Sequence, residues 1–93
     1  MSSERWPVLV TRRLPAPAME AIRARCDVDL WEGEGAIPRD ELLRRVRGKV
    51  GVVTLLTEKV DAEFLDAAGP QLRIVANYAV GFDNIDVAEC TRR

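Results

Sequence analysis

Apolar and polar positions along this chain switch between a strand-like and a helix-like period, in units of a little over about twenty residues. Pro7 to Val10 is a short apolar run with β-branched residues, which predicts a strand. A polar Thr11-Arg12-Arg13 follows, and Pro15 and Pro17 suit the first turn of a helix. In that helix Ala18, Ile22 and Cys26 share a face, with Met19 beside them, while Glu20 and Arg23 fall opposite. Val28 to Trp31 predicts a second strand, and Gly33 and Gly35 loosen the chain after it. Pro38 opens a second helix with Leu42, Leu43 and Val46 as its buried stripe and Gly48 as its stop.

Val50 to Leu56 is nearly continuous in apolar, β-branched residues, which predicts a strand covered on both faces. Asp61 is a good N-cap for a third helix, and Val60 and Leu65 stand at the spacing of a hydrophobic staple. Phe64, Leu65 and Ala68 face inward, and Gly69-Pro70 ends the helix. Leu72 to Ala76 reads as a fourth strand, Asn77 to Phe82 as a loop, and Asn84 to Arg93 as the start of another helix, with Asp83 and Asp86 suited to capping it. Regular alternation of this kind implies parallel strands joined by right-handed crossovers. The expected fold is α/β: a flavodoxin-like, doubly wound parallel sheet in strand order 2-1-3-4, with helices on both faces.

Composition narrows the function classes. The 93 residues make at most one small domain, and a net charge of −1 gives no electrostatic reason to expect nucleic acid or an anionic membrane as partner. No apolar run reaches the ~20 residues of a membrane helix, and the start MSSERWPVLV lacks a signal-peptide pattern, so the expected location is cytoplasmic. Cys26 and Cys90 have no metal-ligand spacing and read as reduced, packed thiols. There is no histidine, hence no commonest general acid or base, and no metal site is expected.

In open α/β sheets, ligands sit beyond the carboxyl ends of the strands. Thr11-Arg12-Arg13, Leu55-Leu56-Thr57 and Asn77-Tyr78-Ala79-Val80-Gly81 meet that description. Gly81 has no Cβ, so the backbone there can come close to a ligand, and successive N–H groups in such a turn form a nest for a carboxylate. The plainer reading is that Gly81 only lets the chain turn. Gly33-Glu34-Gly35-Ala36-Ile37-Pro38 looks superficially like a dinucleotide loop, but Pro38 takes the third glycine position and Glu34 would repel a pyrophosphate. Arg44, Arg45, Arg47 and Lys49 have no interleaved aromatics and follow Asp40 and Glu41, as on a solvated helix face. The acidic cluster of a receiver domain and the phosphate loop of a flavin site are both missing after the first strand.

The segment Leu72-Arg73-Ile74-Val75-Ala76-Asn77-Tyr78-Ala79-Val80-Gly81-Phe82-Asp83-Asn84-Ile85-Asp86 closely resembles one found in glyoxylate reductases of the D-2-hydroxyacid dehydrogenase family. Val8 to Pro15 and Val53 to Asp61 resemble the same family's first and third strands with their turns. The resemblance implies a two-domain enzyme of which residues 1–93 are the N-terminal part of the substrate-binding domain, the NAD(P)-binding Rossmann domain being absent from this chain. It implies that backbone N–H groups of Ala79, Val80 and Gly81 hold the substrate carboxylate and that Leu56 lines the same pocket. The arginine, glutamate and histidine that complete the family's site, and its GxGxxG loop, have no counterpart here, so no catalytic or cofactor-binding residue is expected in this chain.

The complete protein is then expected to use NAD or NADP, to act on a small 2-oxo or 2-hydroxy acid such as glyoxylate or hydroxypyruvate, and to form a homodimer. The 93-residue chain alone is expected to be inactive, to bind no cofactor, and to be poorly stable or self-associating. Its end at Thr91-Arg92-Arg93, without a capping glycine, reads as a truncation. The alternative is a stand-alone module that binds small carboxylates without turnover.

Overall fold

The computed structural model describes residues 6–55, 58–77 and 84–92. Their elements are β1 (Trp6–Val10), α1 (Ala16–Arg25), β2 (Cys26–Leu30), α2 (Arg39–Val46), β3 (Gly51–Thr54), α3 (Ala62–Ala68), β4 (Ile74–Asn77) and α4 (Val87–Arg92). The strands form one parallel sheet in the order β2-β1-β3-β4. Leu9 is paired with Val52, and Val52 with Val75. The expected topology is the observed one.

Strand alternation sorts the side chains into two cores. Leu9 and Val52 join Leu42, Val46, Phe64, Leu65 and Ala68 in the larger one, beneath α2 and α3. Val8 and Val10 join Leu14, Met19 and Leu30 in the smaller one, beneath α1. The crossover rule explains the unequal shares. From β1 the chain steps one way to β2, then back across β1 to β3 and on to β4. Right-handed connections in opposite directions place their helices on opposite faces. Among the described residues the β4 half of the face carrying α1 is therefore uncovered, with Ala76 exposed and Ile74 60% exposed. Trp6, at the start of β1, is 51% exposed.

Element ends moved for local reasons. Cys26 is not in α1: its backbone is extended (φ −128°, ψ 154°), its N–H donates to the Ile22 carbonyl, and it pairs with Trp6 as the first residue of β2. β2 ends at Leu30, although the Trp31 N–H still donates to the Val10 carbonyl at 3.0 Å. β3 ends at Thr54 rather than Leu56, because Leu55 turns out of the sheet. The Gly48 stop is as read, with φ +79°, a conformation that disfavours any side chain.

The start of α3 follows the expected cap. The Phe64 N–H donates to the Asp61 carboxylate at 3.0 Å, and Val60 and Leu65 are both buried in the larger core. Arg39, at the start of α2, donates to the Lys59 carbonyl at 2.7 Å, to Asp61 at 2.7 Å and to Glu63 at 3.0 Å. Burial alone would raise the Asp61 pKa, but the Phe64 N–H and the Arg39 guanidinium outweigh it and hold the carboxyl below its ordinary value.

Two outcomes follow. A folded-state pKa below the unfolded one contributes stability above the unfolded pKa, and that contribution is lost as pH falls through the folded pKa. Asp61→Ala should therefore lower stability at pH 7 by about 1 kcal/mol, the usual cost of losing an N-cap. The difference should vanish at strongly acid pH; denaturant melts across the acid range check this, and a constant difference would contradict it. The bare half-face should make the 93-residue chain by itself self-associate. Sedimentation of Trp6→Gln/Ile74→Thr should show less association than the parent chain, and a monodisperse parent would contradict the reading.

Candidate functional site

The carboxyl ends of β1, β3 and β4 end in polar residues where the strands themselves are apolar. Thr11 and Thr54 are fully buried, and Glu58, in the turn after β3, is 2% exposed. Such groups are tolerated inside only when hydrogen-bonded. The backbone N–H of Thr11 continues the ladder by donating to the Val53 carbonyl at 3.1 Å. Its hydroxyl proton has two acceptors in reach: the Glu58 carboxylate at 2.5 Å and the Val53 carbonyl at 3.2 Å. The shorter, charge-assisted contact is the stronger. The same carboxylate oxygen of Glu58 accepts from the Leu55 N–H at 2.9 Å, and the Glu58 N–H donates to the Leu55 carbonyl at 3.2 Å. These bonds tie Leu55 to Glu58.

A second group of bonds closes across 78–83. The Thr54 hydroxyl donates to Asn77 Oδ1 at 2.8 Å. Asn77 Nδ2 donates to Asn84 Oδ1 at 2.9 Å. Asn84 Nδ2 has the Glu58 carbonyl at 2.7 Å, the Leu55 carbonyl at 3.0 Å and Asn77 Oδ1 at 3.2 Å in reach. Its backbone carbonyl accepts from the Val60 N–H at 2.8 Å, and the Asp86 N–H donates to the Val60 carbonyl at 2.8 Å. Beyond this, Asp86 caps α4 as expected, accepting from the Glu89 N–H at 3.0 Å.

The expected site residues Leu56, Ala79, Val80 and Gly81 lie outside the described residues, as do Thr57 and Asp83. The structure describes the stems of both segments: Leu55 and Glu58 for one, Asn77 and Asn84 for the other. All four stems meet in one hydrogen-bonded cluster at the carboxyl end of the sheet. Thr54, Glu58 and Asn84 were not singled out from sequence as parts of a site. The available signal was a threonine or acid interrupting an apolar run where a strand should end. Arg12 is half-buried beside Thr11, and its Nε has no hydrogen-bond partner among the described residues.

Other candidates resolve as ordinary structure. The Trp31 ring lies over Gly33, where a Cβ would meet it at 2.2 Å, and its indole N–H donates to the Gly35 carbonyl at 3.2 Å. The glycine loop is thus filled by the protein's own side chain. Arg44 and Arg45 both bind Glu41 at 2.6 Å, and Arg45 and Lys49 reach Asp29 at 3.0 and 3.5 Å. Arg45 also stacks over Trp31, 5.5 Å from the ring centre. Cys26 packs on the smaller core and Cys90 on the larger. Among the described residues no helix is long and apolar enough to cross a membrane.

The family described as D-isomer specific 2-hydroxyacid dehydrogenase, catalytic domain, matches residues 8–93. A glyoxylate reductase of Thermococcus kodakarensis is 51% identical over 86 residues, which cover 92% of this chain and 26% of that protein. The crystal structure of the TT0316 protein from Thermus thermophilus superposes with a TM-score of 0.86 at 39% identity, covering 94% of this chain and 28% of that one. An NADPH-dependent glyoxylate/hydroxypyruvate reductase from Sinorhizobium meliloti, in complex with NADP and malonate, gives a TM-score of 0.61 at 25% identity, covering 96% of this chain and 26% of that one. The chain spans about a quarter of the length of the relatives it matches.

The buried hydroxyl offers a test of the cluster. Thr11→Val keeps the shape of the side chain and removes a donor to a buried carboxylate. It should cost about 1.5–3 kcal/mol, the range for hydrogen bonds to charged groups. Chemical denaturation at neutral pH measures it, and a loss within error of zero would contradict the burial argument.

Proposed function

Because this chain belongs to the D-isomer specific 2-hydroxyacid dehydrogenase family, we propose that the complete protein is a glyoxylate/hydroxypyruvate reductase and that residues 1–93 are the N-terminal part of its substrate-binding domain. The reaction is glyoxylate plus reduced nicotinamide cofactor plus a proton giving glycolate and the oxidised cofactor. The observation that carries the reading is the 51% identity to a glyoxylate reductase across nearly the whole chain. The cluster at the carboxyl end of the sheet supports the placement of the site, since both expected binding segments leave from it and return to it.

The nicotinamide cofactor, NAD or NADP, does not fit the glycine loop at 33–38, the one loop among the described residues that looks like a dinucleotide site. The glycine loop is occupied by Trp31 and carries Pro38 in place of the third glycine. Cofactor binding therefore falls to another part of the complete protein. The work of this chain is to bind and orient the acid. Backbone N–H groups of Ala79, Val80 and Gly81 hold its carboxylate, and Leu56 limits the room beside a short substrate. The partners are then a small 2-oxo or 2-hydroxy acid and a second copy in a homodimer. The ion pairs of Arg44 and Arg45 with acids of the same surface speak against a nucleic-acid face.

The complete protein should oxidise NADH or NADPH only when glyoxylate or hydroxypyruvate is present, and the 93-residue chain should not. Gly81→Val in the complete protein should raise the KM for glyoxylate at least about tenfold, because a β-branched side chain obstructs backbone approach. The KM for cofactor should stay within about twofold, a difference too small to mark a lost contact. An unchanged glyoxylate KM would remove the assignment of this loop.

A further inference from the structure

We propose that Asn84 is a positioning residue: with Asn77 it clasps the two ends of the 78–83 segment and ties them to the turn at 55–58. The proposal deepens the reading above and rests on it, since its consequence for substrate follows only if residues 79–81 hold the carboxylate.

The clasp is built from the side-chain amides of Asn77 and Asn84. Asn77 is the last residue of β4, and Asn84 stands before α4. The Asn77 amide donates across the gap to Asn84 Oδ1 at 2.9 Å. Asn84 Nδ2 carries two protons, and the Glu58 and Leu55 carbonyls, at 2.7 and 3.0 Å, are its nearest acceptors. Asn77 Oδ1, at 3.2 Å from that nitrogen, is already bound by the Thr54 hydroxyl at 2.8 Å. One side chain thus accepts from one stem and donates to both ends of the other turn. Asparagine supplies that combination at this reach. Aspartate has the same shape, but as a carboxylate it offers only oxygens, and it would face two carbonyls and Asn77 Oδ1 without a proton to give.

The geometry also separates this role from simple support of the fold. The backbone beside Asn84 is already fixed by a parallel bridge between Ile85 and Val60, in which the Asn84 carbonyl accepts from the Val60 N–H and the Asp86 N–H donates to the Val60 carbonyl. The start of α4 therefore has an anchor that does not involve the side chain. What the amide adds is a link between the two segments expected to touch the substrate. A binding loop whose ends are fixed in advance loses less freedom when ligand arrives. The clasp should accordingly set affinity for the acid and leave cofactor affinity alone.

The test uses the complete protein and four forms of it: wild type, Asn84→Asp, Asn77→Asp and Val46→Ala. Asn77→Asp keeps the oxygen that Thr54 reaches and loses the donor to Asn84, so it reads the same clasp if N84D does not fold. Val46 is fully buried in α2, away from the cluster, and its truncation controls for lost stability. Either clasp variant should raise the glyoxylate KM at least about tenfold, with the cofactor KM within about twofold. V46A should lower the melting temperature and leave both constants in place. Hydrogen exchange of the amides at 78–83 should quicken in the clasp variants and not in V46A. Unchanged exchange and an unchanged glyoxylate KM in both clasp variants would overturn the proposal, and so would the same kinetic pattern in V46A. If wild type does not reduce glyoxylate, the functional reading fails, and hydrogen exchange alone decides the clasp.

Discussion

A parallel sheet has to end somewhere, and at its carboxyl edge the backbone groups of several strands come free together. Here the side-chain amide of Asn84 answers much of that demand, since it reaches the carbonyls of Leu55 and Glu58 and accepts from Asn77. The other polar groups at that edge depend on the same arrangement. Glu58 can be buried because Thr11 and the Leu55 N–H donate to it, and Leu55 is placed to do so because its carbonyl and that of Glu58 are held. Buried polar groups satisfied in this way specify one geometry, because a missing partner costs more than an average bond contributes. The end of the sheet is thereby a fixed frame that holds Leu55, Glu58, Asn77 and Asn84 together.

The two faces of the sheet have different standing. On one, α2 and α3 enclose Leu9, Val52 and Phe64 in a core with aliphatic partners on every side. Arg39 couples the starts of the two helices through Asp61 and Glu63. On the other, among the described residues, α1 covers β1 and β2, and Ile74 is exposed. Handedness of the crossovers produces this asymmetry without reference to function. A family whose complete members are about four times as long has ample further chain to set against such a face.

Much of the fold was legible because its determinants are local. The Asp61 cap, the Val60/Leu65 staple and the Gly48 stop each lie within a few residues of what they control. The strand order followed from the regular alternation of elements and one chirality rule. Boundaries were less legible where a side chain far away decides them. Nothing near Thr54 in the sequence says that Asn77 will take its hydroxyl, 23 residues on, or that Leu55 will leave the sheet for Glu58. Cys26 fits a helical stripe by spacing, yet the pairing of β1 with β2 claims it. For the site, strand-end position and the Gly81 segment pointed to the carboxyl edge of the sheet, where Leu55, Glu58, Asn77 and Asn84 meet. The cluster that frames it joins residues up to 47 apart, as between Thr11 and Glu58, and a single sequence carries no signal of such a pairing.

We propose that a small carboxylate is received at the carboxyl ends of β1, β3 and β4. Oxamate, an unreactive acid close to glyoxylate in size, can be titrated into the complete protein while backbone amide shifts are followed by NMR. The largest changes should fall on residues 79–81, with smaller ones at the stems Leu55, Asn77 and Asn84. Saturable shifts that leave residues 79–81 and these stems unmoved, and centre instead on the loop of Gly33 to Pro38, would contradict it.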